Sequence, residues 1–263
     1  MSLQGKAMKT RSFFVGELEK GAASVLITGD ELKHLRGVLR LREGEAVTIF
    51  NGRGLVVKGV IQRIVKQAAT VSVLGEDTES RESSVHVVLL QALVKGDKND
   101  FIVQKAVELG ATGIVFYAAK RTVPLLGPGR GTDRLIRWRR IAIEAAKQCG
   151  RSVIPGISLA DGIEEAVAGH ACPRMFKAGK GFLKIMLLES ETTRTIKDML
   201  RTAPAAKAAA LLIGPEGGFT DEDVVHAAKN GFTPVSLGRR ILRAETAAIA
   251  ALTIVQYELD GMD

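Results

Sequence analysis

A chain of 263 residues that is 46% hydrophobic and 25% charged can bury one large core or two ordinary ones, which excludes a disordered or fibrous class. Its formal charge of +8 suits a polyanionic partner, although solubility alone accounts for such a charge equally well. Two cysteines (Cys149, Cys172), four scattered histidines (His34, His86, His170, His226) and no apolar run near the ~20 residues of a bilayer span argue against a disulfide framework, a metal site and a membrane segment.

Met1–Ala7 reads as an added leader before a second methionine, Met8, with no signal-peptide apolar block. Residues 8–76 then read as β structure. "VLIT" (25–28), "EAVTIF" (45–50), "LVVKGVIQRIV" (55–65) and "ATVSVL" (69–74) are rich in β-branched residues. Asn51-Gly52 between two of them predicts a hairpin through a type I′ turn, which needs positive φ at both central residues. Asp30 opens one short helix over "ELKHLRGVLR", so a small barrel with a basic helix is the simplest assembly. Residues 8–76 carry 11 Lys/Arg against 7 Asp/Glu, and residues 77–263 carry 25 against 22, so the basic excess is denser in the smaller segment. The polar stretch "GEDTESRESS" (75–84) reads as a linker, assigned to 77–84 between the two domains.

From residue 85 the pattern changes to strands and helices in alternation. "VHVVLLQALV" (85–94) is a predicted strand, followed by a helix over roughly 98–109 and a strand at "GIVFYA" (113–118). A long helix follows over 132–149, with Leu135, Trp138, Ala142, Ala145 and Cys149 as its apolar stripe. On that stripe Cys149 reads as a buried thiol, and the cysteine usage suits the cytoplasm. Three further strands, "LKIMLLE" (183–189), "AALLIG" (209–214) and "PVSL" (234–237), each precede a helix, so residues 85–263 should form a mainly parallel sheet covered on both faces.

Three loops follow the last three strands: Glu189-Ser190, Gly214–Gly218 and Gly238–Arg240. Ligands of open α/β sheets bind outside the carboxyl ends of the strands, so these loops should converge on one site. "GPEGG" is neither a Walker A loop nor a dinucleotide fingerprint, and its helix starts late, at a capping-box pattern over Thr220–Asp223. Its glycines either let bare backbone approach a flat ligand or form a plain tight turn. The last helix, "TAAIAALTIVQYEL", is apolar nearly all round and needs cover from the core or a second subunit.

The segment "LLIGPEGGFTDEDVVHAAKNGFTPVSLGRRILRAETAAIAAL" (211–252) resembles the signature of the RsmE family. "KGDKNDFIVQKAVELG" (95–110) and "RWRRIAIEAAKQCGR" (137–151) extend the likeness upstream, and "HLRGVLRLREGE" (34–45) resembles the family's PUA-like RNA-binding barrel. The resemblance implies an S-adenosylmethionine-dependent methyltransferase of the SPOUT class, acting on ring nitrogen N3 of a uridine in 16S (small-subunit) ribosomal RNA. Another rRNA or tRNA nucleotide is the alternative substrate, and an RNA-binding protein without catalysis leaves "GPEGG" without a purpose. The implied fold is a PUA-like barrel over 8–76 and a SPOUT domain over 85–263 with a deep trefoil knot.

Carried over by motif, the cofactor wall comprises Leu188, Glu189, Ile213, Gly214, Pro215, Glu216, Gly217, Gly218, Leu237, Gly238, Arg239, Ile241, Leu242 and Ala244. Uracil N3 must lose a proton before it can accept a methyl, so the site needs a base or a stabiliser of the uracil anion. Glu216 and Glu245 are the candidate bases, and Arg239, Arg240 and above all Arg243 the candidate stabilisers. A turn or helix-start carboxylate serves structure equally well. Candidate RNA contacts are Arg11, Arg36, Arg40 and Arg42 in the barrel, with Arg121, Arg137, Gln148 and Arg151 beyond it. The implied partners are ribosomal RNA or the small subunit and a second copy of the chain.

Overall fold

Branched apolar residues in alternation build the first strands, as the sequence predicts. The computed structural model describes residues 11–119, 130–169 and 181–262. These fall into two compact units, one reaching Glu82 and including Ala146–Ile154, the other made of Ser83–Ala145 and the chain from Pro155 onward.

In the first unit, β1 (Ser12–Phe14) and β2 (Ser24–Ile27) precede a short helix α1 (Gly29–Lys33), which continues as a π-helical turn over His34–Val38. Then come β3 (Ala46–Phe50), β4 (Val56–Ile64) and β5 (Ala69–Glu76). They form one sheet in the order β1-β3-β4-β5-β2, with only β1 and β3 parallel. Alternate strand residues such as Val47, Ile49, Val57, Ile61 and Val71 face a core shared with Leu32 and Leu35.

The β3–β4 hairpin is present, but not through the expected two-residue turn. Its loop runs from Asn51 to Leu55, and Asn51 keeps an ordinary negative φ while Gly52 (φ 74°) and Gly54 (φ 102°) take the left-handed positions. The reason is the Asn51 side chain. Its oxygen accepts from the Arg53 and Leu55 amides at 2.8 and 3.2 Å, and its nitrogen donates to the Leu18 carbonyl. Residues 152–154 join this unit by pairing with the same loop: the Gly54 amide donates to Ser152 and the Ile154 amide to Gly52.

The second unit alternates as predicted: β6 (His86–Ala92), α2 (Lys98–Glu108), β7 (Gly113–Tyr117) and α3 (Arg130–Cys149), whose last turn belongs to the first unit. It continues with β8 (Gly156–Ala160), α4 (Ile163–Ala168), β9 (Phe182–Leu187), α5 (Ile196–Arg201), β10 (Ala208–Ile213), α6 (Asp221–Lys229), β11 (Thr233–Val235) and α7 (Ala244–Glu258). The six strands are all parallel, in the order β11-β9-β10-β6-β7-β8. The order fixes the site. β11 lies beyond β9, yet α7 returns to pack on β10, β6 and α2. The chain therefore crosses the carboxyl ends of the strands between Ser236 and Arg243.

On the α3 stripe Trp138, Ala142 and Ala145 are buried, whereas Leu135 and Cys149 are only partly so. Trp138 stacks on Phe116 with centroids 4.2 Å apart and donates its indole N–H to Asp100. Cys172 and His170 lie outside the described residues.

Candidate active site

Parallel strands all end on one edge, and the loops after β9, β10 and β11 meet there around a cavity of about 450 Å³. Backbone hydrogen bonds tie two of them together. The Leu188 amide donates to Val235, the Ser236 amide to Arg194 and the Ile196 amide to Ser236, at 2.9–3.0 Å. The loop after β10 turns tightly, with the Gly218 amide on the Pro215 carbonyl at 3.0 Å, and its start is anchored from below. There the wholly buried Tyr117 donates its hydroxyl to the Ile213 carbonyl at 2.8 Å. Burial, with the Asp223 charge second, pushes the Tyr117 phenol well above its ordinary value, so the donor keeps its proton.

Helix α6 begins only at Asp221, with a capping box: Thr220 accepts from the Asp223 amide and Asp223 from the Thr220 amide. The loop amides ahead of it are thus not part of a helix N-terminus. Gly218 has φ 73°, and a Cβ there would lie 3.2 Å from Glu189 Oε1. At Gly214 a Cβ would press on the Phe219 ring at 2.9 Å. Gly238 has φ 112°, a conformation that L side chains rarely adopt.

Leu188, Glu189, Ile213, Gly214, Pro215, Glu216, Gly218, Leu237, Gly238, Arg239, Ile241, Leu242 and Ala244, the expected wall, line the cavity together with Arg240 and Arg243. Gly217 sits in the same loop but is not part of the lining surface, and Glu245 stands behind it. Ser190 of the first predicted loop also lines it, as do Lys98, Leu187, Phe219, Ser236 and Ala247, which the sequence does not single out. Of these Lys98 matters most. Its ammonium bonds Glu216 Oε1 and lies 3.6 Å from Glu245 Oε1. The Glu216 hydrogen bond, opposed by partial desolvation and assisted by the Glu245 charge, holds the ammonium above the ordinary lysine value. Glu245 Oε2 is buried and has no hydrogen-bond partner among the described residues.

Among the RNA candidates, Arg36, Arg40, Arg42, Arg137 and Gln148 are exposed. Arg137 is ion-paired with Asp100, Arg11 with Glu45, and Arg121 lies outside the described residues. Arg151 is a correction. It is 5% exposed, and its guanidinium grips Glu82 at 2.8–2.9 Å, while Glu82 also accepts the Ser152 and Val153 amides. Gly150, at φ 81°, turns the chain out of α3 and sends Arg151 inward. No group of three or more His, Cys, Asp or Glu among the described residues is placed to hold a metal ion.

A cavity at the carboxyl edge of a parallel sheet, in a chain that also carries a separate small β unit, defines a two-part α/β protein with a ligand site in its larger part. Family models match both parts: an RNA methyltransferase domain over residues 81–256 and an RNA methyltransferase PUA domain over 27–74. The ribosomal RNA small subunit methyltransferase E of Synechocystis is 32% identical, over 91% of this chain and 75% of its own. That of Bacillus subtilis is 28% identical, over 91% and 92%. The crystal structure of the Neisseria gonorrhoeae enzyme bound to S-adenosyl methionine superposes with TM-score 0.81 at 32% identity, covering 94% of this chain and 97% of that one. A putative methyltransferase from Legionella pneumophila, in complex with the same cofactor, gives 0.83 at 30% identity, covering 95% and 98%. The chain belongs to the ribosomal RNA small subunit methyltransferase E (RsmE) family.

Proposed function

We propose that this protein catalyses S-adenosylmethionine-dependent methylation of ring nitrogen N3 of a uridine in 16S ribosomal RNA. The observation that carries the reading is the convergence of three strand-end loops on one cavity, in a chain whose solved relatives hold that cofactor. The residues present fit the group. A volume of about 450 Å³ suits a small ligand. Gly218 and Gly238 keep backbone bare at the wall, Leu188, Ile213, Leu237 and Leu242 offer apolar surface, and Glu189 and Glu216 offer negative charge to a cation.

Bound there, the cofactor supplies an electrophilic methyl group. The chain's own residues align the uracil with it and exclude water, which favours a transfer in which opposite charges vanish together. Glu216 faces the cavity as a candidate base, with Glu245 behind it. Arg239, Arg240 and Arg243 line the same wall, where they can donate to the uracil oxygens while N3 is deprotonated. The target base is single-stranded or flipped, since pairing hides N3.

Residues 8–76 act as a PUA-like RNA-binding barrel, 77–84 as a linker and 85–263 as the SPOUT domain. The five-stranded sheet with exposed Arg36, Arg40 and Arg42 supports the first part. The return of α7 across the strand ends supports a deep trefoil knot. Ile249 and Ile254 are only partly covered and Tyr257 is exposed on α7, which supports a homodimer through this domain. No helix among the described residues is long and apolar enough to cross a membrane. A ribosomal RNA substrate supports a cytoplasmic location. A methyl on N3 removes a Watson–Crick donor and stops reverse transcriptase. Deleting the gene should remove one such stop from small-subunit RNA and restoring it should bring the stop back. A stop that persists in the deletion strain refutes the assignment.

A further inference from the structure

Lys98 opens helix α2, where the helix dipole disfavours a cation. It sits there because two carboxylates from distant parts of the chain meet its ammonium. Two are more than neutralisation needs, and they differ in place. The Glu245 side chain is 13% exposed and stands behind the cavity wall, whereas that of Glu216 is 38% exposed and lines it beside Lys98. A ligand in the cavity therefore meets a donor and an acceptor side by side. The edge of a uracil carries the complement, a carbonyl oxygen next to the N3–H.

We propose that Lys98 is a catalytic cation of the methyl transfer, passing from Glu216 to a uracil carbonyl oxygen as N3 gives its proton to Glu216. The proposal rests on the N3 reading above and names a residue for it. The N3–H bond breaks, an O–H bond forms on the Glu216 carboxylate, and the electron pair stays on the uracil, shared by N3 and the two flanking carbonyl oxygens. Neutral Glu216 then holds the ammonium only weakly, and the new anion takes its place. The cluster holds one positive and two negative charges before and after the proton moves, so the transfer adds no further uncompensated ion. Glu245 keeps Lys98 in position during the exchange. N3 then bonds the methyl carbon, the carbon–sulfur bond breaks with its pair going to sulfur, and Glu216 returns its proton to solvent. Lys98 itself is not the base, because its carboxylate partners keep it protonated. The three arginines of the wall are exposed to solvent, where water and salt screen their charge.

The test compares wild type with Lys98→Met, Lys98→Arg and Glu216→Gln on small-subunit RNA. Turnover, calorimetric affinity for the cofactor, RNA affinity and the mapped position of the methyl are measured for each. Lys98→Met should lose about 100- to 1,000-fold in turnover, the size of one anion-stabilising donor. Both affinities should stay within about threefold, since the interaction belongs to the transition state. Lys98→Arg should recover part of the loss. RNA carrying 5-fluorouridine at the target, with a more acidic N3–H, should narrow the gap between wild type and both Lys98→Met and Glu216→Gln. Lys98→Met turning over like wild type overturns the proposal. So does a loss of cofactor affinity in step with turnover, or a gap that 5-fluorouridine leaves unchanged, either of which makes Lys98 a mere anchor of the loop. A wild-type product methylated elsewhere overturns the N3 reading and the proposal with it, whereas the other failures overturn the proposal alone.

Discussion

Tyr117→Phe removes one oxygen from the wholly buried anchor of the loop after β10. The ring still fills its place in the core cluster that also holds Leu90, Val115 and Leu212, so packing changes little. What is lost is the 2.8 Å hydrogen bond to the Ile213 carbonyl. A lost bond of this kind costs about 1 kcal/mol net, rising toward ~3 kcal/mol if the carbonyl finds no other donor. For a domain of this size each kcal/mol moves the melting temperature by about 2–4 °C, so a drop of roughly 2–12 °C is expected. The second effect is local. If about 1 kcal/mol of the loss falls on the loop's closed form, cofactor affinity weakens roughly fivefold. The phenol also leaves a pH signature. Its folded pKa is raised, so its stabilisation is complete below about pH 10 and is lost as pH climbs past that, when the unfolded chain ionises and the folded one does not. The Phe variant lacks that slope. Thermal melts between pH 7 and 11, with cofactor calorimetry at neutral pH, measure all three. A variant with the wild-type melting point, affinity and alkaline slope would refute the anchoring role.

Gly218→Ala places a Cβ at φ 73° and 3.2 Å from Glu189 Oε1, so calorimetry should show cofactor affinity reduced by about tenfold for ~1–2 kcal/mol of strain. Unchanged affinity would mean that the loop is only a turn. Glu82→Gln takes the carboxylate from Arg151 and two backbone amides, and urea midpoints should fall by the equivalent of roughly 3 kcal/mol. Burial pushes the Glu82 carboxyl up, but Arg151 and the amides outweigh it and leave it below its ordinary value. Its contribution is therefore present above about pH 4.5 and lost as pH falls below that, a slope the Gln variant should show less of. Arg243→Ala should lower turnover while leaving cofactor affinity near wild type, and a fully active variant would remove Arg243 from the chemistry.

Much of this was legible because local and global signals agree. The alternation after residue 85, the Thr220 capping box and the three strand-end loops need only periodicity and turn chemistry, and all three stand in the structure. β8 and α4 are not legible because "GISLA" and "IEEAVA" are short and weakly patterned. The type I′ turn failed because an asparagine side chain can satisfy the turn amides itself, which leaves its backbone in the ordinary region. The burial of Arg151 is not legible because periodicity assigns faces only within a helix, and one left-handed glycine after α3 ends that inference. Lys98 did carry a signal, a cation on the first turn of a helix. What offsets that misplacement lies far along the chain and is visible only once the sheet has formed.

That misplacement links the fold to the chemistry. In a parallel sheet each crossover helix starts at the carboxyl edge, so α2 and α7, which pack together, both begin beside the cavity. Their dipoles favour negative charge there, which suits Glu245 in the first turn of α7 and opposes Lys98 in the first turn of α2. A lysine in that position is held by its carboxylates and not by its helix. A fold selected only for stability would place the cation at the other end of α2, where the dipole helps. Keeping it at the carboxyl edge makes the charge available to whatever anion forms in the cavity. It also ties the loop after β10 to the helix that closes the wall. Removing Lys98 should therefore stabilise an isolated α2 peptide while disabling the enzyme, and cofactor affinity that stays near wild type separates this from the loss of a purely structural ion pair.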